Sequence, residues 1–317
     1  MNGNIPLVHA GLFSVVACSC AFAAEPDPTV GQDYVETFHG LDIQMVWIPG
    51  GTFQMGSHLS AEEVGRQYGS QVEGFNIEHP LHTVTLDGFW IGKCEVTNEQ
   101  FRHYIPKHRS GAIKGISLDG DRQPVVEVTW EETMVFCDWI SRGSGRDHTL
   151  PSEAQWEYAC RGGTDTVRYW GNGDAEMGRY ANVLDRTAET VFAAEIRGRD
   201  ELVPGFDPFI ATTDGFKAAA PVGSLEPNAY GLHDMIGNAF EFCLDFHDPE
   251  YYKHSPEKNP VNLNPTDAVV GHRRSPLIVT RGGSWLHPSF RQRAALRGSV
   301  DMGHRSARGS FRICRNP

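Results

Sequence analysis

Positive charge is scarce in this 317-residue chain, which has 28 Lys and Arg residues against 40 Asp and Glu residues and a formal net charge of −12. Nucleic acids and anionic membranes bind proteins through basic residues, so this balance disfavours both as partners. No run of about 20 apolar residues follows the N-terminus, and we therefore expect no transmembrane segment in the mature chain.

Three common catalytic motifs are also missing. The chain has neither a G-x-x-x-x-G-K-[ST] phosphate loop nor a G-x-S-x-G elbow, which argues against nucleotide hydrolysis and α/β-hydrolase chemistry. Its histidines do not have H-E-x-x-H spacing, which argues against a zinc protease. His79 and His82 form a small cluster with Glu78, and His233, His272, His287 and His304 are scattered along the chain.

The composition that remains is that of a folded, turn-rich protein. Hydrophobic residues make up 40% and aromatic residues 10%, which is enough for a core. The 34 Gly and 19 Pro residues predict many turns and little long helix. Because no repeat or Pro/Ser-rich linker divides the chain, we predict one α+β domain.

The N-terminus has the pattern of an export signal. Residues 5–24 carry no Asp, Glu, Lys or Arg, and they contain an A-x-A cleavage pattern at Ala21, Phe22 and Ala23. We predict a signal peptide over residues 1–23, a polar N-terminal lead-in over 24–40 and a domain over 41–317, in a periplasmic or secreted protein. Alternatives are a lipoprotein signal, with membrane association only if Cys18 is lipidated, and a buried core segment.

Five cysteines lie beyond this signal and show no C-x-x-C or zinc-type pairing. In an oxidising compartment one or two disulfides are expected; the alternative is that all five are small buried hydrophobic residues. They are Cys94, Cys137, Cys160, Cys243 and Cys314.

Short strands are predicted in the first third of the chain. Residues 45–57 contain two apolar runs around Pro49, Gly50 and Gly51, which indicates a β-hairpin. Residues 82–96 alternate and break at Asp87 and Gly88, which indicates strand, turn and strand.

Three helices are predicted from capping boxes, in which a Thr or Ser hydroxyl and a later Glu or Gln satisfy each other's backbone N–H groups. These begin at Thr97, Thr129 and Ser152, each followed three residues later by Gln or Glu. Beyond residue 163 we predict turns and short apolar runs, with no helix longer than about two turns.

Two charged segments remain. Asp234 and Glu241 flank a Gly and Asn turn, an arrangement used by calcium loops, although a turn followed by a strand explains it equally. Asp214 lies in an ordinary turn. The stretch 281–315 carries eight Arg residues, which either pair with core carboxylates or line a pocket for an anion.

In their order, several blocks of this chain resemble the formylglycine-generating enzyme, or sulfatase-modifying factor, family. The matching blocks are residues 45–56, 79–86, 95–98, 124–130, 150–159, 170–172, 181–183, 221–232, 237–241, 281–285 and 311–312. The resemblance covers about residues 41 to 315. It implies an α+β fold similar to that of C-type lectins, with little regular secondary structure.

The resemblance also implies two structural calcium ions. The first would be held by Asn182, Val183, Asp214 and Phe216, and the second by Asp234, Gly237, Ala239 and Glu241. Family members also often join the helix cysteine to one near the C-terminus, which here implies a disulfide between Cys160 and Cys314, although Ile313 displaces Cys314 by one residue.

The catalytic element of the family is missing. The family's oxidases use two cysteines after a Gly-Gly-Ser segment to bind copper, and no cysteine lies between Cys243 and Cys314. We therefore expect no copper and no formylglycine generation, as in a pseudoenzyme. His287, Ser289 and Arg291 are the candidate groove residues in that loop.

Two functions stay open. One is a calcium-stabilised binding or regulatory module with a protein partner in the cell envelope, similar to a type VI secretion accessory protein that acts upstream of a membrane kinase. The other is a periplasmic metal-dependent oxidoreductase of the siderophore-maturation type. A third, iron-dependent sulfoxide synthesis, needs a helical bundle that is absent from this sequence.

Overall fold

The computed structural model describes residues 28–68, 75–197, 206–265, 267–270 and 273–317. The predicted signal peptide, Cys18 and the A-x-A pattern lie outside these residues. Within the described part, no helix is long and apolar enough to cross a membrane.

The described residues form short elements joined by long connections. The helices are α1 (Ala61–Tyr68), α2 (Asn98–Tyr104), α3 (Trp130–Ser144), α4 (Glu153–Arg161), α5 (Met177–Tyr180) and α6 (Arg186–Arg197). The strands are β1 (Tyr34–Phe38), β2 (Leu41–Ile48), β3 (Gly51–Met55), β4 (His82–Leu86), β5 (Phe89–Gly92), β6 (Ala112–Ile113), β7 (Ile116–Ser117), β8 (His148–Thr149), β9 (Phe240–Phe246), β10 (Asp267–Val270), β11 (Arg273–Arg281), β12 (Gly298–Asp301), β13 (Gly309–Ser310) and β14 (Cys314–Arg315). Residues 211–239 contain no helix or strand, so the fold is α+β with low regular structure, as expected.

The four strands between residues 41 and 92 form at the predicted places, but the strands on either side of each predicted turn do not pair with each other. β2 pairs with β5 and β3 pairs with β4, so the predicted β2–β3 hairpin is wrong. Pro49 and Gly50 instead carry the chain from a five-stranded sheet, in the order β1-β2-β5-β14-β8, to a two-stranded one. β1 lies inside the predicted lead-in of residues 24–40 and is the edge strand of the larger sheet.

A second sheet has β9 and β11 at its centre. β10, β12 and β9 pair with β11 in antiparallel fashion, and the short β13 pairs with β9 in parallel. Helix α4 contacts β9 and β11 through residues that are buried along its whole length, including Trp156 at 0% exposure. Helix α4 therefore lies against β11, the strand that leads into the loop at Gly283.

All three predicted capping boxes are present. The hydroxyl groups of Thr97, Thr129 and Ser152 each accept a hydrogen bond from the third helical N–H, and the backbone N–H of each donates to the side-chain oxygen of that third residue. Helix α6 spans 12 residues, so the prediction that no helix longer than about two turns follows residue 163 is wrong. Asp185 begins it by accepting hydrogen bonds from the N–H groups of Thr187 and Ala188.

The predicted disulfide between Cys160 and Cys314 is wrong, because all five described cysteines are free thiols. The Cys160 thiol donates to the carbonyl of Met235, at 3.9 Å between sulfur and oxygen, while the Cys314 thiol faces the Gln155 side chain. The alternative interpretation, small buried residues, holds for four of the five. Successive side chains of a strand point to opposite faces, so the one-residue displacement by Ile313 accounts for the difference.

Candidate functional site

The loop that would carry catalysis follows β11 and turns sharply at Gly283. Its φ of +72° is a conformation that glycine adopts readily, and a Cβ there would lie 2.5 Å from the carbonyl oxygen of Arg291. The loop is therefore folded tightly onto the segment that contains the three candidate groove residues.

His287 is the central residue of that candidate set. Its Nδ1 lies 3.1 Å from the Ser284 hydroxyl, and its Nε2 lies 3.2 Å from Nη1 of Arg308. A guanidinium only donates, so Nε2 is the acceptor and the hydrogen is assigned to Nδ1. His287 and Arg291 are half-buried, whereas Ser289 is buried, with 5% of its surface exposed. The three residues are adjacent, and the groups described around the imidazole are a hydroxyl and a guanidinium.

Burial keeps the described thiols protonated at neutral pH. Burial raises the pKa of Cys160 to about 12, and burial likewise raises the pKa values of Cys137 and Cys314. For Cys94, burial together with the negative charges of Asp234 and Glu95 raises the pKa. Because the thiolate is the form that binds copper and exchanges with other thiols, none of these cysteines is activated by its surroundings.

The first predicted calcium set is brought together. The two carboxylate oxygens of Asp214 accept hydrogen bonds from the N–H groups of Val183, at 2.8 Å, and Phe216, at 2.7 Å. Asn182 is 1% exposed, and its side-chain oxygen has no hydrogen-bond partner. Burial and the nearby Asp185 raise the pKa of Asp214 to about 7. An unpartnered amide oxygen beside an uncompensated carboxyl group fits a cation such as calcium.

Asp185 is a residue of this site that the sequence analysis missed. It is fully buried, and its second carboxylate oxygen accepts a hydrogen bond from the N–H of Asp214 at 2.7 Å. The sequence already places Asp185 two positions after Val183, at the start of an apolar pattern with a 3.6-residue period, and this is the pattern of a helix N-terminus.

In the second predicted calcium set, the carboxyl groups of Glu241 and Asp234 have different hydrogen-bond partners. Both carboxylate oxygens of Glu241 accept from the guanidinium of Arg312 at 2.7 Å, and one also accepts from the indole of Trp156. One oxygen of Asp234 accepts from the N–H of Gly223, while its other oxygen is buried without a partner. Gly237, at φ +86°, lets the turn approach Asn182, because a Cβ there would lie 2.3 Å from that residue's carbonyl oxygen.

Glu95 is the second residue of these sites, after Asp185, that was not predicted from the sequence, although it lies in one of the matching blocks. It is 1% exposed, and its Oε2 has no hydrogen-bond partner. Burial and the carboxylates of Asp234 and Glu241 raise its pKa well above the ordinary range. Three buried carboxyl groups therefore lie near one arginine, Arg312, and a bound cation would favour their ionised forms. No group of three His, Cys, Asp or Glu side chains in the described ranges is arranged to hold a metal alone, so amide and main-chain oxygens of both sets would have to contribute.

The arginines of residues 281–315 mainly serve as counter-charges, which confirms the first of the two interpretations. Arg281 lies 3.0 Å from Glu153 and 2.5 Å from Glu157, and all three side chains are almost completely buried. The other buried pairs are Arg297 with Glu153, Arg293 with Glu78 and Arg312 with Glu241. These pairs fix α4 and the two ends of the Gly-Gly-Ser loop to each other.

An irregular α+β domain with a buried network of ion pairs behind a Gly-Gly-Ser loop is the class of protein that these features define. Residues 35–317 match the model of the family described as "Sulfatase-modifying factor enzyme 1-like domain", and the chain belongs to that family. The matched region begins within β1.

Relatives of two kinds share this domain. The formylglycine-generating enzyme of Streptomyces coelicolor is 30% identical, over 96% of each chain. The serine/threonine-protein kinase pkn1 of Chlamydia pneumoniae is 28% identical over 86% of this chain, but the match covers only 38% of the kinase. Among solved structures, PvdO from Pseudomonas aeruginosa has the same fold, with a TM-score of 0.68, 24% identity and coverage of 92% of this chain and 100% of PvdO.

Proposed function

We propose that this chain is an exported, calcium-stabilised member of the family that does not generate formylglycine and acts as a binding or regulatory module in the cell envelope. The observation that carries the proposal is the loop after Gly283, in which Leu286 and His287 occupy the region where the family's oxidases have the first cysteine. An imidazole cannot exchange with a substrate thiol, and it is not the soft ligand that Cu(I) prefers.

The surroundings of His287 support binding over catalysis. General acid–base chemistry usually pairs a histidine with a carboxylate or a second titratable group. Here Ser284 and Arg308 contact the two ring nitrogens. The half-buried His287 and Arg308 side chains supply hydrogen-bonding groups that suit an acidic segment of a protein partner.

The kinase-named relatives support a regulatory role. In the Chlamydia pneumoniae protein the family domain accounts for well under half of the chain, so the domain occurs joined to other protein segments. We infer that a domain of this type can act through association, and that the partner here is an envelope protein such as the external part of a membrane kinase in a secretion system.

A direct test of lost catalysis uses a peptide with a sulfatase-motif cysteine. Residues 24–317 should produce no formylglycine when copper and oxygen are supplied, as measured by peptide mass spectrometry. The Streptomyces coelicolor enzyme is the positive control. Copper-dependent oxidation by this chain would refute the proposal, and turnover of a siderophore precursor would favour the oxidoreductase alternative.

A test of binding uses cross-linking in intact cells with His287, Ser289 and Arg291 all replaced by alanine. We expect the cross-linked partner to be lost while the melting temperature and the calcium response are kept. The matched control replaces the exposed Lys107, Asp147 and Lys217 by alanine and should retain the partner. Capture of the same partner by the first variant would show that the binding surface lies elsewhere.

A further inference from the structure

Two side chains join the edge strands of the five-stranded sheet. β1 and β8 lie at opposite ends of the strand order β1-β2-β5-β14-β8. Nevertheless, Nε2 of His148, on β8, lies 3.0 Å from Oε2 of Glu36, on β1, and both side chains are almost completely buried. The sheet is therefore curved so that its two edges approach each other, and we call Glu36 and His148 the edge pair.

Helix α3 holds the two edges in this position, since it contacts both β1 and β8. Gly143 allows the close approach to β1, because a Cβ on it would overlap the ring of Phe38. At the other edge, the Ser141 hydroxyl accepts from the N–H of His148 at 2.8 Å. In the described sheet, β1 pairs with β2 and β8 pairs with β14, so the link between the edges is made by side chains.

Both ring nitrogens of His148 face oxygen atoms that have no hydrogen to donate. Nδ1 lies 3.0 Å from the carbonyl oxygen of Arg146, and Nε2 faces the carboxylate of Glu36. Both contacts are attractive only when each nitrogen carries a hydrogen, which is the imidazolium form. In the neutral form, one nitrogen presents its lone pair to an oxygen, and that contact becomes repulsive.

The neighbours of Glu36 keep the proton off its own carboxylate. Burial by itself raises the pKa of Glu36, but His148, Arg146 and Tyr34 together lower it below the ordinary range. Nη1 of Arg146 lies 2.9 Å from Oε1 of Glu36, and the Tyr34 hydroxyl donates to Oε2 at 3.2 Å. Burial together with Glu36 raises the pKa of Tyr34, so this hydroxyl stays a donor.

Other charged groups lie on the elements around the edge pair. Arg315, on β14, is directly opposite His148 in the strand pair. On α3, Asp138 and Arg142 form an ion pair with each other at the exposed surface. The guanidinium groups of Arg146 and Arg315 repel an imidazolium, so the carboxylate of the edge pair is the group that favours it.

We propose that the edge pair is a pH-sensitive switch, which links β1 to β8 while His148 is protonated and releases β1 when His148 loses its proton to solvent. Histidine is the side chain whose charge ordinarily changes between about pH 5 and 8. Val35 of β1 lines a cavity of about 450 Å³ beside Cys94, so release of β1 changes access to that cavity. The inference does not depend on the proposed function.

Hydrogen exchange of the β1 amides tests the switch in the purified protein with calcium present. Protonated His148 favours the linked state, so the stabilisation is complete at low pH and is lost as the pH rises. Protection of β1, corrected for the intrinsic pH dependence of exchange, should fall by roughly tenfold or more between about pH 6 and 9. The β9 amides serve as the reference, because they report changes in global stability, including that from Asp245.

Nitrogen NMR of the His148 ring reports the proton directly. Both ring nitrogens should carry hydrogen at about pH 6, and the loss of one should coincide with the loss of β1 protection. A neutral ring at that pH, or β1 protection that does not follow the titration of the ring, would overturn the proposal.

Two variants separate the switch from a merely structural contact. In Glu36→Gln, the amide oxygen accepts from Arg146 and the amide N–H donates to neutral His148, so β1 protection should no longer fall as the pH rises. His148→Gln cannot titrate and should also lose the pH dependence. His58→Gln, which replaces an exposed histidine outside the sheet, should keep it. A wild-type decline in Glu36→Gln would refute the switch, and if neither variant folds, the ring titration and exchange of the wild-type protein still decide.

Discussion

Asn182 and Asn238 are bonded to each other twice. The carbonyl oxygen of Asn182 accepts from the N–H of Asn238 at 2.8 Å, and the side-chain amide of Asn182 donates to the side-chain oxygen of Asn238 at 3.1 Å. Both residues are almost completely buried. Since Asn182 belongs to the first predicted calcium set and Asn238 lies within the second, the two sets form one hydrogen-bonded unit.

Replacing Asn238 with alanine should therefore destabilise the protein by about 2–4 kcal/mol. The change leaves the N–H of Ala220 and one of the two side-chain N–H groups of Asn182 without an acceptor in a buried region. Urea unfolding would measure the loss, with the exposed Asn264→Ala as a control that should stay within about 0.5 kcal/mol of wild type. A loss below about 1 kcal/mol in the Asn238 variant would contradict the bonded unit.

Calcium should stabilise the folded chain. A ligand that binds only the folded state contributes about 2.7 kcal/mol when its free concentration is 100 times its Kd, so a chelator should lower the melting temperature. Asp234→Ala should reduce this response, while Asp147→Ala, an exposed acidic residue, should keep it. Glu241→Ala should also lose the calcium response, but it will lower stability in chelator as well, because Arg312 then lacks its carboxylate. A melting temperature that does not change with chelator would argue against both calcium sites.

Acidic pH should favour the folded state through Asp245. Burial and the neighbouring Glu153 raise the pKa of Asp245 from 3.8 to about 7. The folded state therefore holds this proton more tightly than the unfolded chain does, and its contribution to stability is complete below about pH 4, falls between about pH 4 and 7, and is constant above that. The measurement is the unfolding free energy across this range, in which Asp245→Asn should show a smaller decline than wild type. An equal decline in both proteins would exclude Asp245 as its source.

Replacing a buried arginine should reduce the free energy of unfolding much more than replacing an exposed one. Burial by itself disfavours the charged form of Glu153, but Arg297 and Arg281 lower its pKa below the ordinary range, so the carboxylate depends on them. Arg281→Met should cost about 3–5 kcal/mol because it removes one of the two arginines paired with each of the buried carboxylates of Glu153 and Glu157. Arg305→Met removes an exposed pair with Glu132 and should cost less than about 1 kcal/mol. Similar losses in urea unfolding of the two variants would contradict this difference.

The features that could be predicted from the sequence are those that depend on residues close together in the chain. A capping box needs only residues three positions apart, and those at Thr97, Thr129 and Ser152 formed as expected. Strand pairing depends on distant residues, so the turn at Pro49 and Gly50 did not reveal that β2 pairs with β5. Helix α6 was missed because its N-terminal Asp185 does not form a Ser/Thr capping box.

The same difference between local and distant contacts applies to the site residues. The resemblance located Asn182, Val183, Asp214 and Phe216, which the structure places together. It could not show that Arg312 occupies both oxygens of Glu241, because 71 residues separate the two in the chain. Nor could it reveal the unpartnered oxygen of Glu95, since that depends on which groups tertiary folding places around it.

β14 is the fourth strand of the five-stranded sheet β1-β2-β5-β14-β8, and this position bears on when the sheet can form during synthesis. β14 lies between β5 and β8, and it is the strand that joins β8 to the other three. A nascent chain that ends before Cys314 cannot complete this sheet, however long it waits on the ribosome. The five strands of this sheet are therefore assembled only after residues 314 and 315 have been synthesised.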